Sequence, residues 1–210
     1  MNGSPLLQTV DIKKHFKLKR TSVFGPRERV YAVDGVSLNL KAEETLGLVG
    51  ESGCGKSTFG RSILRLIEPT AGNIIFEGKD ITGFSGGRLN TLRRRIQMVF
   101  QDPYASLNPA MTVGEIVAEP LVVHRSTPGK NDRLARVRRT LEEVGLTPVD
   151  AFIHRRPYEL SGGQRQRVAI AAALVLEPTV LLADEPVSML DVSVRAGILN
   201  LLDGLHQTRG

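Results

Sequence analysis

The sequence predicts an α/β protein: a β-rich N-terminal part, a core built around a phosphate-binding loop, and a helical subdomain inserted after it. Three observations carry this. Gly50-Glu51-Ser52-Gly53-Cys54-Gly55-Lys56-Ser57-Thr58 lies between an apolar run, Thr45 to Val49, and a helix-spaced segment, Lys56 to Ile67. Short apolar runs at Asn73 to Phe76, Ile96 to Phe100 and Val180 to Ala183 read as strands. From Thr112 to about Leu146 the pattern becomes purely helical.

The N-terminal part comes first. Leu6 to Phe16 reads as a strand with basic residues on its outer side, and Val30 to Leu40 as a second, with Val36, Leu38 and Leu40 on one face. Between them Lys17 to Arg29 is basic and contains Gly25-Pro26, which fits a loop or hairpin. Thr45 to Val49 is then expected as the strand that feeds the phosphate loop. The loop has the spacing Gly, four residues, Gly-Lys-Ser, with a Lys and a hydroxyl at a helix start. Gly50, Gly53 and Gly55 open backbone conformations closed to other residues, so successive N–H groups can converge on one anion. The helix N-terminus adds unpaired donors and a favourable dipole. Lys56 suits the β- and γ-phosphates and the Ser57 hydroxyl suits Mg²⁺, so the loop implies a nucleoside triphosphate.

Ser85 to Arg95 reads as a short basic helix. In the helical stretch, Val113 to Val123 and Asp132 to Val144 are separated by Ser126-Thr127-Pro128-Gly129. The second carries Leu134, Val137, Leu141 and Val144 at helical spacing. Ser161, followed three residues later by Gln164, has the form of a capping box, so a helix is expected from here to about Leu176. Gly162 and Gly163 in its first turn leave backbone N–H groups open to an anion; taken alone, the stretch reads better as a well-capped structural helix with no ligand. Val180 to Ala183 is short enough for a parallel strand buried on both faces, and it ends in Asp184-Glu185-Pro186. Ligands gather at the carboxyl ends of strands in open α/β sheets, so this carboxylate pair suits metal and water. Val194 to Leu205 is amphipathic.

Composition sets the remaining bounds. Hydrophobic content of 41% and charged content of 24% are ordinary for a soluble globular chain of 210 residues. No apolar run approaches the roughly 20 residues that span a bilayer. The single cysteine, Cys54, excludes an internal disulfide. The net charge of +6 draws on Arg93–Arg95, on Arg133, Arg136, Arg138 and Arg139, and on Arg155–Arg156. Such clusters serve either an anionic partner or a solvated surface, and the second reading is preferred. No aromatic ladder interleaves them, which argues against a single-strand nucleic-acid platform.

A phosphate loop, then Leu160-Ser161-Gly162-Gly163-Gln164, then an apolar run ending Asp-Glu-Pro, in that order, resembles the ATPase domain of ABC transporters over nearly the whole chain. Val99-Phe100-Gln101-Asp102-Pro103-Tyr104-Ala105-Ser106-Leu107-Asn108-Pro109 is similar to the oligopeptide/dipeptide importer ATPases, in particular the second of their paired ATPase subunits. The resemblance implies a P-loop NTPase core of ABC ATPase type with an N-terminal antiparallel β part. Its division would be 1–101 as core, 102–175 as helical subdomain with the signature, and 176–210 as core continuation.

The family's roles carry onto matching residues. Tyr31 would stack on adenine. Gly50, Ser52, Gly53, Cys54, Gly55, Lys56, Ser57 and Thr58 would hold the phosphates of ATP. Ser57, Gln101 and Asp184 would serve Mg²⁺, Gln101 would also sense the attacking water, and Glu185 would act as general base. Ser161, Gly162, Gly163 and Gln164 would reach ATP bound by an opposite subunit, and Asp191 would lie in the loop that crosses that interface.

The implied partners are a sister ATPase, two membrane permease subunits and, indirectly, an extracytoplasmic solute-binding protein, with no nucleic acid. The implied location is the cytoplasmic face of the inner membrane. The family's switch histidine would fall past Gly210, and His206 comes too early for that role, so a C-terminally truncated form is expected. Ala172 stands where the family usually has Arg, and Met189 where it usually has Ala. Competing readings are a nucleotide-binding fragment without turnover and a soluble ABC ATPase acting on nucleic acid or ribosomes.

Overall fold

The computed structural model describes residues 4–18, 28–127 and 129–209. The chain forms two compact units, Met1–Leu89 and Asn90–Arg209.

In the first unit, β1 (Leu7–Lys17) pairs antiparallel with β2 (Arg29–Leu40), from Leu7 opposite Leu40 to Lys17 opposite Arg29. The intervening 19–27, which includes Gly25-Pro26, lies outside the described residues, as does Pro128. On its other edge β1 pairs antiparallel with β3 (Ala71–Phe76), and β3 with the two-residue β4 (Lys79–Asp80), giving the order β2-β1-β3-β4. Side chains alternate across this pleat, and Leu7, Ile12, Val33, Ile74 and Phe76 fall on the covered side. The first helix, α1 (Lys56–Ile63), lies against β1 and β2 and buries Phe59 and Ile63.

Two sequence expectations change here. The helix expected to Ile67 stops at Ile63, with Leu64 as its cap and Arg65 at φ +53°. Leu66 N–H closes back on Arg61 O at 2.9 Å. The cause is tertiary: Arg65 is buried, donating to Ile81 O at 2.6 Å and to Glu68 Oε2 at 2.6 Å. Continuing the helix would carry that guanidinium away from the Ile81 carbonyl, 16 residues on; Glu68, at i+3, is a local partner that a helix would also allow. The strand expected at Thr45 to Val49 is absent, because none of the strands described pairs with it. Leu46 and Leu48 are half exposed, and Val49 is 94% exposed. An apolar run sets strand propensity, but a strand exists only where a neighbour takes its N–H and C=O groups.

In the second unit β5 (Ile96–Val99) and β6 (Val180–Ala183) pair in parallel, Ile96 opposite Val180 through Val99 opposite Ala183. It follows α2 (Gly86–Arg95), which crosses the boundary between the units. Around the two strands lie α3 (Pro103–Ser106), α4 (Val113–Val123), α5 (Lys130–Glu143), α6 (Gly162–Leu174) and α7 (Val192–Arg209). The core runs through Val113, Val117 and Leu121 of α4, Val137 and Leu141 of α5, and Val168, Ile170 and Leu174 of α6. Leu134, expected on the same buried stripe, is 49% exposed. Capping boxes start α4, through Thr112 and Glu115, and α6, through Ser161 and Gln164.

Candidate functional site

The phosphate-binding loop occupies the first unit. Gly53 at φ +80° and Gly55 at φ +99° adopt left-handed backbone, as expected from the sequence. Gly50 does not, and its role is space: a Cβ there would stand 2.7 Å from the Cys54 sulfur. Gly55 is confined further, since a Cβ would meet the backbone oxygen of Ala32 at 2.0 Å. That contact ties the start of α1 to β2, one residue from Tyr31. Lys56 Nζ donates to Gly50 O at 2.7 Å and to Glu51 O at 2.8 Å, so the ammonium is enclosed by the loop's own carbonyls. Ser57 and Thr58 follow in the first turn of α1, with Ser52 at the loop's tip. Tyr31 is 62% exposed, and its ring lies against His15, centroids 4.3 Å apart.

The carboxylates occupy the second unit, at the C-terminal end of β6. Asp184 N–H donates to Val99 O at 3.0 Å, extending the parallel ladder by one residue and burying Asp184 to 6% exposure. Glu185 then turns out at φ +46° into the left-handed region, an arrangement that costs about 1–3 kcal/mol for a residue with a Cβ. Three hydrogen bonds hold it there. Ser188 donates to Glu185 O from both N–H, at 3.1 Å, and Oγ, at 3.0 Å. Gln101 Nε2 donates to Glu185 Oε2 at 2.9 Å. Backbone strain held by several bonds on an exposed carboxylate makes Glu185 a candidate functional residue.

Gln101 is itself anchored. Asp102 caps α3, its Oδ1 accepting from Tyr104 N–H at 2.7 Å and Ala105 N–H at 3.2 Å. The Tyr104 ring carries the Arg165 guanidinium of α6 at 4.1 Å, and Arg165 Nε donates to Pro157 O at 2.5 Å. The segment bearing Gln101 is thereby fastened to the signature helix.

At the start of that helix Ser161 Oγ accepts from Gln164 N–H at 3.3 Å, and Gln164 Oε1 accepts from Ser161 N–H at 3.0 Å. A Cβ on Gly163 would lie 2.5 Å from Val194 Cγ1, so this glycine allows α6 to close on the start of α7. Gly162 stands over Leu190 at ordinary contact distance. Asp191 O accepts from Val194 and Arg195 N–H, opening α7, and Arg195 Nε holds Leu190 O at 2.9 Å. The second unit thus brings Gln101 to Glu185, next to Asp184, at one strand end, and brings Gly162 and Gly163 to Leu190 and Val194 on either side of Asp191.

Sequence reasoning missed Ser188, Arg195 and the Tyr104–Arg165 pair. Ser188, three residues after Glu185, had a local signal, a hydroxyl placed to close a turn on the preceding carbonyl. The other contacts span separations that no local pattern encodes. Among the described residues no group of three or more His, Cys, Asp or Glu is arranged to hold a metal ion. The Ser57 hydroxyl belongs to the first unit and the Gln101 amide and Asp184 carboxylate to the second; each is a hard oxygen donor of the kind Mg²⁺ takes.

Comparison with known proteins agrees with this geometry. The profile of a family described as ABC transporter matches residues 33–188. The chain is 51% identical over 210 residues to the glutathione import ATP-binding protein GsiA of Escherichia coli strain K12, covering all of this chain and 33% of that one. It is 48% identical over 207 residues to the oligopeptide transport ATP-binding protein OppF of Salmonella typhimurium, covering 98% of this chain and 61% of that one. The chain therefore spans about a third of GsiA and under two thirds of OppF. Among solved structures, the ATP-binding cassette MJ0796, a dimer in a post-hydrolysis state bound to ADP and Pi, superposes with a TM-score of 0.83 at 33% identity. That match covers 97% of this chain and 84% of the other. With the phosphate loop, the signature and the Asp-Glu strand end all inside or adjoining the matched span, the chain belongs to the ABC transporter family and has the fold of its ATPase cassettes.

Proposed function

We propose that this chain is the ATP-binding and ATP-hydrolysing part of an ABC importer, coupling ATP turnover to uptake of peptides or a related solute through a membrane permease. The observation that carries the reading is Glu185, held at a strained φ by Ser188 and bonded to Gln101, at the end of the strand that also presents Asp184. The names of the relatives, glutathione import and oligopeptide transport ATP-binding proteins, support the solute class.

In this reading the loop N–H groups and Lys56 bind the β- and γ-phosphates, and Tyr31 stacks on the base. Glu185 accepts a proton from the attacking water while Gln101 orients it. Ser57, Gln101 and Asp184 would hold Mg²⁺, which would supply charge neutralisation on the phosphate oxygens. Ser161, Gly162 and Gly163 act on ATP held by a second cassette, since a capped helix start presents N–H donors to an anion. Asp191 lies beside them. Two cassettes facing each other complete each other's sites, and a chain alone turns over ATP slowly. Donors supplied in trans contribute about 10³–10⁵ in rate in other phosphate-loop enzymes.

The partners are a second ATPase cassette, two permease subunits and, through them, an extracytoplasmic solute-binding protein. The reading puts the chain on the permease's cytoplasmic side; no helix among the described residues is long and apolar enough to cross a membrane. The test is co-purification with permease in mild detergent, followed by ATP hydrolysis in proteoliposomes with and without binding protein and solute. Stimulation by both supports the reading; stimulation by DNA or ribosomes, with none by membranes, overturns it.

A further inference from the structure

We propose that His15 is a positioning residue for the nucleotide base, holding the Tyr31 ring from behind so that its open face meets the purine. The inference rests on the reading of Tyr31 as the base-stacking residue and goes beyond it.

His15 sits opposite Tyr31 in the β1–β2 register, so the two side chains stand on one face of the sheet as a cross-strand pair. Their rings are 4.3 Å apart between centroids, at an interplanar angle of 59°. The His15 side chain is only 14% exposed, although it lies beside a tyrosine that is 62% exposed. It is fixed at both ends. Its backbone N–H donates to Thr70 Oγ1 at 2.9 Å, and its Nε2 lies 3.4 Å from Asp34 Oδ1. Asp34 also lies 4.0 Å from Lys13 Nζ. One residue beyond Tyr31, the Ala32 carbonyl is pressed against Gly55, so the shelf and the phosphate loop share one rigid stretch of β2. An exposed tyrosine alone rotates among its rotamers. Backed by a ring that is itself held, it is set in advance at one angle, which lowers the ordering cost of binding a flat base.

The shelf acts on the base and the loop acts on the phosphates, so two ligands separate them. Calorimetry in Mg²⁺ buffer on the full chain measures affinity for ATP and for inorganic tripolyphosphate. The proteins are wild type, His15→Ala, Tyr31→Ala and the double variant. We expect His15→Ala to weaken ATP binding by about three- to tenfold, the range of an aromatic pair, with tripolyphosphate affinity unchanged. In the Tyr31→Ala background, removal of His15 should have no further effect on ATP. Unchanged ATP affinity in His15→Ala overturns the inference. Equal loss for both ligands also overturns it, by showing damage to the whole site, as does an additive loss in the double variant. If Tyr31→Ala leaves the preference for ATP over tripolyphosphate unaltered, the base-stacking reading fails first, and the role of His15 falls with it.

Discussion

Gln101 and Glu185, 84 positions apart, are joined by a 2.9 Å hydrogen bond from the amide nitrogen to the carboxylate. The bond links the residue two positions past the end of β5 to the residue two positions past the end of β6, so the parallel pairing of those strands sets its length. It also ties Glu185 to α6, because the segment after Gln101 is fastened there through Tyr104 and Arg165. A movement of that segment would therefore be felt at the carboxylate.

Gly163 gives a prediction in which the usual sign reverses. In an open helix Gly→Ala stabilises by about 0.5–1 kcal/mol. Here the new methyl would stand 2.5 Å from Val194 Cγ1. Gly163→Ala is expected to destabilise by about 1–3 kcal/mol, the range for overpacking. Val194→Ala in the same chain should return part of the loss. Denaturant melts of the two single variants and the double variant check this.

Gly55→Ala meets backbone instead of a side chain, at 2.0 Å from the Ala32 oxygen and at φ +99°. Neither partner can yield without moving the loop off β2. The expected outcome is loss of the ATP-dependent rise in Tm, measured with saturating ATP against buffer. A variant that still gains Tm on ATP addition would show that the contact is not needed for the loop's shape.

Gln166 is fully buried on α6, and neither its amide nitrogen nor its oxygen has a hydrogen-bond partner among the described residues. An unsatisfied buried polar group costs about 1–3 kcal/mol, so Gln166→Met, close in volume, is expected to raise stability by a similar amount. A fall in Tm would mean that the amide is satisfied in solution by water or by a moved backbone group.

Much of the fold was legible in the sequence because its signals are local. The glycine spacing of the loop, the Ser161–Gln164 capping box and the apolar run of β6 all need only neighbours in the chain. The Thr45 to Val49 expectation failed because strand pairing depends on a partner that period and composition do not name. The end of α1 was misplaced because Arg65 takes a distant acceptor, the Ile81 carbonyl 16 residues on. At the site, residue types were readable, but the left-handed Glu185 and its bonds from Ser188 and Gln101 were not. Backbone strain appears only once a structure holds it.

Acid sensitivity has a defined source in His124. Burial, followed by the positive charge of Arg94, holds its imidazole below the ordinary value of 6.5. The folded protein then binds fewer protons than the unfolded chain just below that pH, so stability falls as pH drops through 6.5 toward the depressed folded value. His124→Gln is expected to flatten that part of the stability–pH curve, read from urea melts across mildly acidic pH. An unchanged slope would assign the sensitivity to other groups.

The role of Glu185 is tested by ATP hydrolysis by the full chain beside its Glu185→Gln variant, with nucleotide affinity measured separately on both. Glu185→Gln keeps the shape of the side chain and removes the base. A general-base role for Glu185 predicts retained ATP binding in both proteins and a fall in turnover of about 10²–10⁴, the usual contribution of a general base. Equal turnover in the two proteins would contradict it.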